Sequence, residues 1–291
     1  MQEQTGPLSS AFVAVVGRPS VGKSTLMNTI CGHKISIVSP VPQTTRNRVR
    51  GIYTDERGQL VFIDTPGFHD SERTLNTHMM NLIRQTVDDA DLVLRVVDLT
   101  RAIGSEEEAL DELLAPEADR TVVALNKADL PAAAESAPGS DNSRIRVSAR
   151  ERTGISELMD MLFALAPEGP LMYPAEFYTD QEPAFRISEI VREQAMLRTR
   201  EELPHALYVE TTDLAEENDG RRLVANATIY VERESQKGIV VGKGGRMIRQ
   251  IREHAESELG DIFERAVRVH LKVKVHPKWR TNRDTIQKVI S

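Results

Sequence analysis

The sequence predicts two units in tandem, a larger α/β unit on a mostly parallel sheet and then a smaller α+β unit. Three observations predict this. In the first half, short apolar runs alternate with helical stretches, the pattern of crossover helices around parallel strands. Between residues 167 and 183 (PEGPLMYPAEFYTDQEP), four prolines interrupt every periodic pattern. Beyond them the charge changes sign. Residues 233–291 hold 14 Lys and Arg against 7 Asp and Glu, in a 291-residue chain whose net charge is -7. The expected boundaries are 8–166 for the first unit, 167–183 for a linker and 184–291 for the second unit.

In order along the chain, residues 11–17 (AFVAVVG) read as a buried strand, followed by a Gly-rich loop and a helix with Leu26, Met27 and Ile30 on one side. Residues 33–48 are polar, proline-bearing and without clear period. Strands are expected near 49–55 and 59–64 around a turn at Glu56-Arg57-Gly58, and again at 91–98 and 121–126. A short strand at 145–148 and a helix from about Gly154 close the first unit. Residues 131–143 read as a surface loop or weak helix. The second unit opens with a helical run near 184–203, then strands near 206–212 and 222–234, a loop and helix from 242 to about 256, and a strand at 266–275. In that last strand Val267, Val269, Leu271, Val273 and Val275 alternate with Arg268, His270, Lys272 and Lys274, so one face packs on a core and the other shows cations.

Composition excludes several classes. The single cysteine, Cys31, leaves no disulfide framework and no four-cysteine zinc site, and it fits a reducing, intracellular setting. The start, MQEQTGPLSS, lacks the basic and apolar segments of a signal peptide. No apolar run approaches the length of a membrane span. An acidic body with a basic end suits one localised polyanion-binding face better than a general nucleic-acid coat.

The loop after the first strand, GRPSVGKS at 17–24, fits the phosphate-loop pattern GxxxxGK[ST] in its required place between strand and helix. Such a loop, here Gly17, Arg18, Pro19, Ser20, Val21, Gly22, Lys23, Ser24 and Thr25, cradles phosphates at a helix N-terminus with the backbone N–H groups of its non-proline residues. Lys23 is expected on the β- and γ-phosphates and Ser24 on Mg2+. Asp64 of DTPG ends a strand, where an acid can hold the metal through water, and Gly67 can offer its N–H to the γ-phosphate. Asn126, Lys127 and Asp129 of NKAD sit at another strand end. The Asp129 carboxylate can accept from the ring N–H and exocyclic amine of guanine, and adenine would leave it unpaired. Ser148, Ala149 and Arg150 end the next strand, with the Ala149 N–H facing the guanine carbonyl. Together these motifs match the guanosine triphosphatase superfamily. In the loop QTTR, Thr44 or Thr45 could complete the metal shell and release it on hydrolysis. Phe68 follows the DTPG turn and cannot polarise water, and His69 is the next candidate. Intrinsic turnover is therefore expected to be slow, resting on positioning and charge.

The second glycine-lysine loop, Gly242-Lys243-Gly244-Gly245, has no Ser or Thr after its lysine and is no second triphosphate site. A GxxG turn before a helix, flanked by apolar Val240, Val241, Met247, Ile248 and Ile251 with Lys243 and Arg246 outward, is the KH solution for a single-stranded RNA backbone.

The chain is similar to the Era family of bacterial GTPases, in which a GTPase domain precedes a KH domain. The resemblance rests on GRPSVGKSTLMN (17–28), QTTRNRVRGI (43–52), DTPGFH (64–69), NKAD (126–129) and SAR (148–150). In the second unit it rests on RISEIVREQ, TIYVERESQKGIVVGKGGRMI and KVHPKWR, so nearly the whole chain is covered. It implies a P-loop GTPase domain and a type II KH domain, binding of GTP and GDP with Mg2+, and slow hydrolysis. It implies catalytic roles for Lys23, Thr45 and Gly67, with Ser24, Thr45 and Asp64 at the metal. It also implies binding of small-subunit ribosomal RNA near its 3′ end and a role in small-subunit maturation. Val241, Gly242, Lys243, Gly244, Gly245, Arg246, Ile248, Lys272 and Lys274 would meet that RNA, and the turn at Lys278-Trp279-Arg280 would hold or extend the groove. A monomer is expected, in the cytoplasm and peripherally at the inner face of the cell membrane. One position departs from the family. Ser20 stands where relatives carry an asparagine that ligates K+, and its shorter hydroxyl leaves the K+ site open to question. Two rivals are a GTPase of transfer-RNA modification or large-subunit assembly, which the basic GxxG module disfavours, and a membrane-surface GTPase, for which no long amphipathic helix is present.

Overall fold

The computed structural model describes residues 7–68, 74–131 and 143–290, which fold into two compact units. Unit 1 takes residues up to 36 and from 42 to 180, and unit 2 takes residues 37–41 and 181–289.

Unit 1 is a six-stranded sheet in the order β2-β3-β1-β4-β5-β6, with β1 Ser9–Val16, β2 Val49–Asp55, β3 Gly58–Asp64, β4 Leu92–Asp98, β5 Thr121–Asn126 and β6 Arg144–Arg146. All pairings are parallel except β2 against β3. Strands β3 and β5 are buried along their whole length, which is why they read as unbroken apolar runs rather than alternating ones. Helices α1 Lys23–Cys31, α2 Thr74–Asp89, α3 Ser105–Leu114 and α4 Ile155–Leu165 are the crossovers and the terminal cover. Strand β1 has β3 on one side and β4 on the other, so the strand order reverses there and the loop after β1 opens into the crevice where open α/β sheets bind ligands.

The proline-rich segment expected as a linker is fastened to unit 1 as far as Asp180. Ser10 N–H donates to Pro167 O and Gly169 N–H to Leu8 O, both at 2.9 Å. The buried Gln59 side chain accepts from Met172 and Tyr173 N–H. Tyr178 stacks on His33 at 4.1 Å, and Asp180 pairs with Arg50 at 2.7 Å. Proline stopped helix and strand there without making the chain free, because backbone groups of Leu8 and Ser10 and the Gln59 side chain satisfy its backbone.

Unit 2 is a three-stranded sheet of β7 Tyr208–Glu217, β8 Arg222–Val231 and β9 Ala266–Val275, antiparallel then parallel, with α5 Pro183–Arg198 and α8 Arg246–Phe263 against it. Its core takes Ile187, Val191, Ile229, Val240, Ile251, Leu259 and Val269, and Ile37 from the aperiodic 33–48 stretch. Val38 N–H donates to the Glu193 carboxylate at 2.6 Å. The remaining helices are α6 Leu203–Ala206, α7 Glu234–Val241 and α9 Arg283–Ile290. Sequence reading missed α7 and α9. Helix α7 is short and carries Gly238, and its start is held by the Gln236 side chain, which accepts from Glu232 and Arg233 N–H. Trp279 of the KWR turn is fully buried, with Nε1 donating to Ala206 O at 2.8 Å, so it anchors the end of the unit rather than facing a ligand.

Candidate functional site: a nucleotide pocket and a basic groove

The loop at 17–24 is shaped by close backbone contacts. A Cβ on Gly17 would lie 2.4 Å from Val96 O, and one on Gly22, whose φ is +99°, would lie 2.4 Å from Asn126 Nδ2. A Cβ on Gly67 would lie 2.7 Å from Pro19, and Phe68 N–H donates to Gly17 O at 3.0 Å, which draws the DTPG turn onto the loop. Phe68 is buried in the core with Ile83 and Val87, consistent with its inability to act on water. His69 lies outside the described residues.

Lys23 is buried, with Nζ donating to the carbonyls of Gly17 at 2.9 Å and Arg18 at 3.2 Å. Burial lowers its ammonium from the ordinary 10.5 to about 8, against the pull of the Asp64 and Glu107 carboxylates. Phosphate oxygens beside Nζ would favour the charged form again. GTP binding is thus expected to take up a proton between pH 8 and 10.5, and none at pH 6.5 where Lys23 is already charged. Calorimetry at about pH 8.5 in two buffers of different ionisation enthalpy measures this, and no uptake would place Lys23 away from the phosphates. Arg18 turns its side chain to the buried Glu107 of α3 at 2.8 Å, and Arg95 meets the other oxygen of Glu107 at 3.2 Å. Arg18 therefore serves the loop through its backbone.

Three oxygens converge beside Lys23. Ser24 donates to Asp64 Oδ2 at 2.7 Å and Thr45 to the same oxygen at 3.3 Å, and the two hydroxyls lie 3.0 Å apart. Burial raises the Asp64 carboxyl above its ordinary range, and Lys23 and the hydroxyls oppose that. Its Oδ1 is buried without a hydrogen-bond partner. Among the described residues no group of three or more His, Cys, Asp or Glu could hold a metal. An all-oxygen set with one carboxylate, two hydroxyls and an unpaired oxygen fits Mg2+, which keeps waters and shares phosphates rather than taking a full protein cage.

The base-selecting motif is braced from the side. Asn126 Nδ2 donates to Val21 O at 2.8 Å and its Oδ1 accepts from Ala149 N–H at 3.0 Å, tying the phosphate loop to the 148–150 turn. That Ala149 N–H is thus engaged with Asn126. Lys127 bridges Ser20 O at 3.0 Å and Asp98 at 2.6 Å, and both Lys127 and Ser20 have φ of +65°. Ser148 donates to Asp129 Oδ1 at 2.6 Å, leaving the other oxygen for a base. Arg150 is exposed and pairs with Glu151. Replacing Asp129 with Asn is expected to weaken GTP by at least about tenfold and to favour xanthosine triphosphate, which presents an oxygen where guanine has its amine. Titration calorimetry with both nucleotides checks this, and unchanged GTP affinity would overturn the assignment.

In unit 2 the loop at 242–245 leads into α8. Gly242 has φ +71°, and a Cβ there would lie 2.7 Å from Met247 Cβ, so its bareness makes room for the protein's own helix. Gly244 and Gly245, at φ +61° and +73°, have open space around them. A groove of about 410 Å3 runs beside them between α8 and β9, lined by Gly245, Ile248, Arg249, Arg252, Arg268, Val269, His270, Leu271 and Lys272. Val241, Lys243, Arg246 and Lys274 lie outside this lining, and Lys243, Lys272 and Lys274 are exposed. Arg249 and Arg252 were missed. Their signal was the three-residue spacing Arg246, Arg249, Arg252, which puts them on one helical face.

The fold and the two sites define a P-loop GTPase that carries a KH domain. The profile of the 50S ribosome-binding GTPase family matches residues 12–127, and the KH domain profile matches residues 202–280. GTPase Era of Treponema denticola is 44% identical over 97% of this chain and 99% of its own, and that of Borreliella afzelii is 44% identical over 98% and 100%. A crystal structure of an Aquifex aeolicus Era variant bound to GDP and AlF4− aligns over 97% of this chain and 99% of its own, with 31% identity and a TM-score of 0.92. A structure of Era in complex with MgGDPNP and nucleotides 1506–1542 of 16S ribosomal RNA aligns over 97% and 98%, with 31% identity and a TM-score of 0.90. The chain belongs to the Era family of GTPases.

Proposed function

We propose that this chain is a GTP-hydrolysing switch that binds small-subunit ribosomal RNA near its 3′ end through the KH domain and assists small-subunit maturation. The observation that carries the reading is a near full-length relative holding both MgGDPNP and 16S RNA, beside a chain that sets the corresponding chemistry on two separate units. In hydrolysis, Lys23 neutralises charge developing on the β–γ bridge, and Gly67 offers N–H to the γ-phosphate. Ser24, Thr45 and Asp64 would hold Mg2+, which would supply positive charge to the phosphates when bound. Thr45 then leaves when the γ-phosphate goes. In RNA binding, the GxxG loop passes the backbone, and the groove lined by Ile248 and the arginines of α8 takes bases and phosphates.

The GTPase profile, described as 50S ribosome-binding, raises a large-subunit reading, but its match ends at residue 127 and leaves the KH unit out. Filter binding of the full chain to 16S 3′-terminal RNA and to 23S fragments at matched salt separates the two. Preference for the 16S RNA is expected, and preference for the 23S fragments would overturn the reading.

The same reading makes the protein a cytoplasmic monomer with peripheral contact at the inner membrane face. No helix among the described residues is long and apolar enough to cross a membrane. Potassium is expected to stimulate turnover less than in relatives carrying asparagine at position 20. Asparagine tolerates the left-handed backbone found at Ser20 and reaches further. Ser20→Asn should therefore raise the ratio of turnover in K+ to that in Na+ without cost in melting temperature. A strong K+ response in the wild-type chain would show that serine suffices.

A further inference from the structure

One buried carboxylate beside the base-selecting motif belongs to none of the motifs above. Asp98 is the last residue of β4, sits opposite Asn126 in the register with β5, and is fully buried. Leu99 N–H donates to Asn126 O at 3.0 Å, which locks the two strand ends together next to Lys127.

The two carboxylate oxygens serve different partners. Oδ1 accepts from Thr100 N–H at 2.9 Å and from Thr100 Oγ1 at 2.6 Å, which closes the turn after β4. Oδ2 accepts from Lys127 Nζ at 2.6 Å, with Arg101 Nε 3.6 Å away. Burial works against the charge, but the bonds from Lys127 and Thr100 outweigh it and hold the carboxyl below its ordinary range. The same Lys127 ammonium donates to Ser20 O at 3.0 Å, in the middle of the phosphate loop. Ser20 and Lys127 both hold a left-handed backbone, at φ +65°, which side-chain-bearing residues adopt only where neighbours fix it. A lysine side chain left to itself samples many rotamers, and a buried anion at its tip selects one.

We propose that Asp98 is a positioning residue of the nucleotide site. It holds the Lys127 ammonium on Ser20 O, and so steadies the phosphate loop against the base-selecting turn and slows nucleotide release. This rests on the reading that the 17–24 loop takes the phosphates and NKAD the base.

Asp98→Asn separates the two halves of the carboxylate. The Asn oxygen can stay on Thr100, and its amide nitrogen then meets the Lys127 ammonium, donor against donor. The test is the rate of release of fluorescent GDP from the full chain at fixed Mg2+, for wild type, Asp98→Asn, Lys127→Met and the double variant, with a thermal melt of each. Release should be about tenfold faster in Asp98→Asn, the scale of one charged hydrogen bond. In the Lys127→Met background the same change should add less than about twofold, because its partner is already gone. An equal factor in both backgrounds would place Asp98 in the scaffold of the pocket and overturn the proposal. Unchanged release in Asp98→Asn while Lys127→Met is fast would overturn it too, and leave the nucleotide reading standing. Unchanged release in both single variants would overturn the reading of Lys127 as well. An Asp98→Asn chain that does not fold would assign the carboxylate to the turn after β4 and likewise overturn the proposal.

Discussion

Lys23→Ala is expected to lower GTP turnover by about 10²–10³-fold, roughly 3–4 kcal/mol of transition-state stabilisation, and to weaken triphosphate binding strongly. The same change should leave the melting temperature nearly untouched. In the fold the ammonium is held by two carbonyls in a site where burial disfavours its charge. Truncation removes that desolvation cost along with the two hydrogen bonds, and Gly17 O keeps the Phe68 N–H. Stability and catalysis thus separate in one variant, because the lysine is poised for a ligand and not for the fold. Single-turnover hydrolysis and a thermal melt on the same preparation measure both. Retained turnover in the variant would mean the 17–24 loop is misassigned.

The double change Lys243→Asp with Gly244→Asp is expected to cut RNA affinity by at least about tenfold, roughly 1.4 kcal/mol or more, with GTP affinity close to that of wild type. The substitution removes one cation and places two carboxylates where a phosphate backbone would pass. On a single strand, the slope of log affinity against log salt should flatten by about 0.7 for each phosphate that the protein no longer neutralises. The fold should survive. A Cβ at Gly244 meets nothing within 4 Å, and Asp is among the residues that tolerate its φ of +61°. Every nucleotide-site residue named above lies in unit 1, so the pocket keeps all its groups. Filter binding across salt concentrations, beside nucleotide titration, reads both halves. Intact RNA affinity would reduce the GxxG loop to a turn, and collapse of nucleotide binding in a folded variant would refute the division between the two loops.

By itself the sequence determined the elements whose chemistry is local. The strand–loop–helix around Gly17 and Lys23, the acid at the end of β3 and the NKAD run at the end of β5 are motifs whose residues are adjacent in the chain, and each lies at the strand end where the apolar pattern stops. Strand β9 was legible residue for residue because it is half-buried and alternates, whereas β7 was ended five residues early because its exposed tip has no such contrast, and β8 was run three residues past Val231 to the start of α7. The tertiary structure decided what depends on residues distant in the chain. It selected the engaged hydroxyl, since Thr45 reaches Ser24 and Asp64 over 21 and 19 positions. It bound Arg18 to Glu107, made Asn126 a brace, and fastened 167–180 to the sheet edge. It also turned Gly242 toward Met247 and buried Trp279. Each of these is settled by the need to pair or bury a group against a neighbour that only the folded chain brings near, and no period or local propensity carries that information.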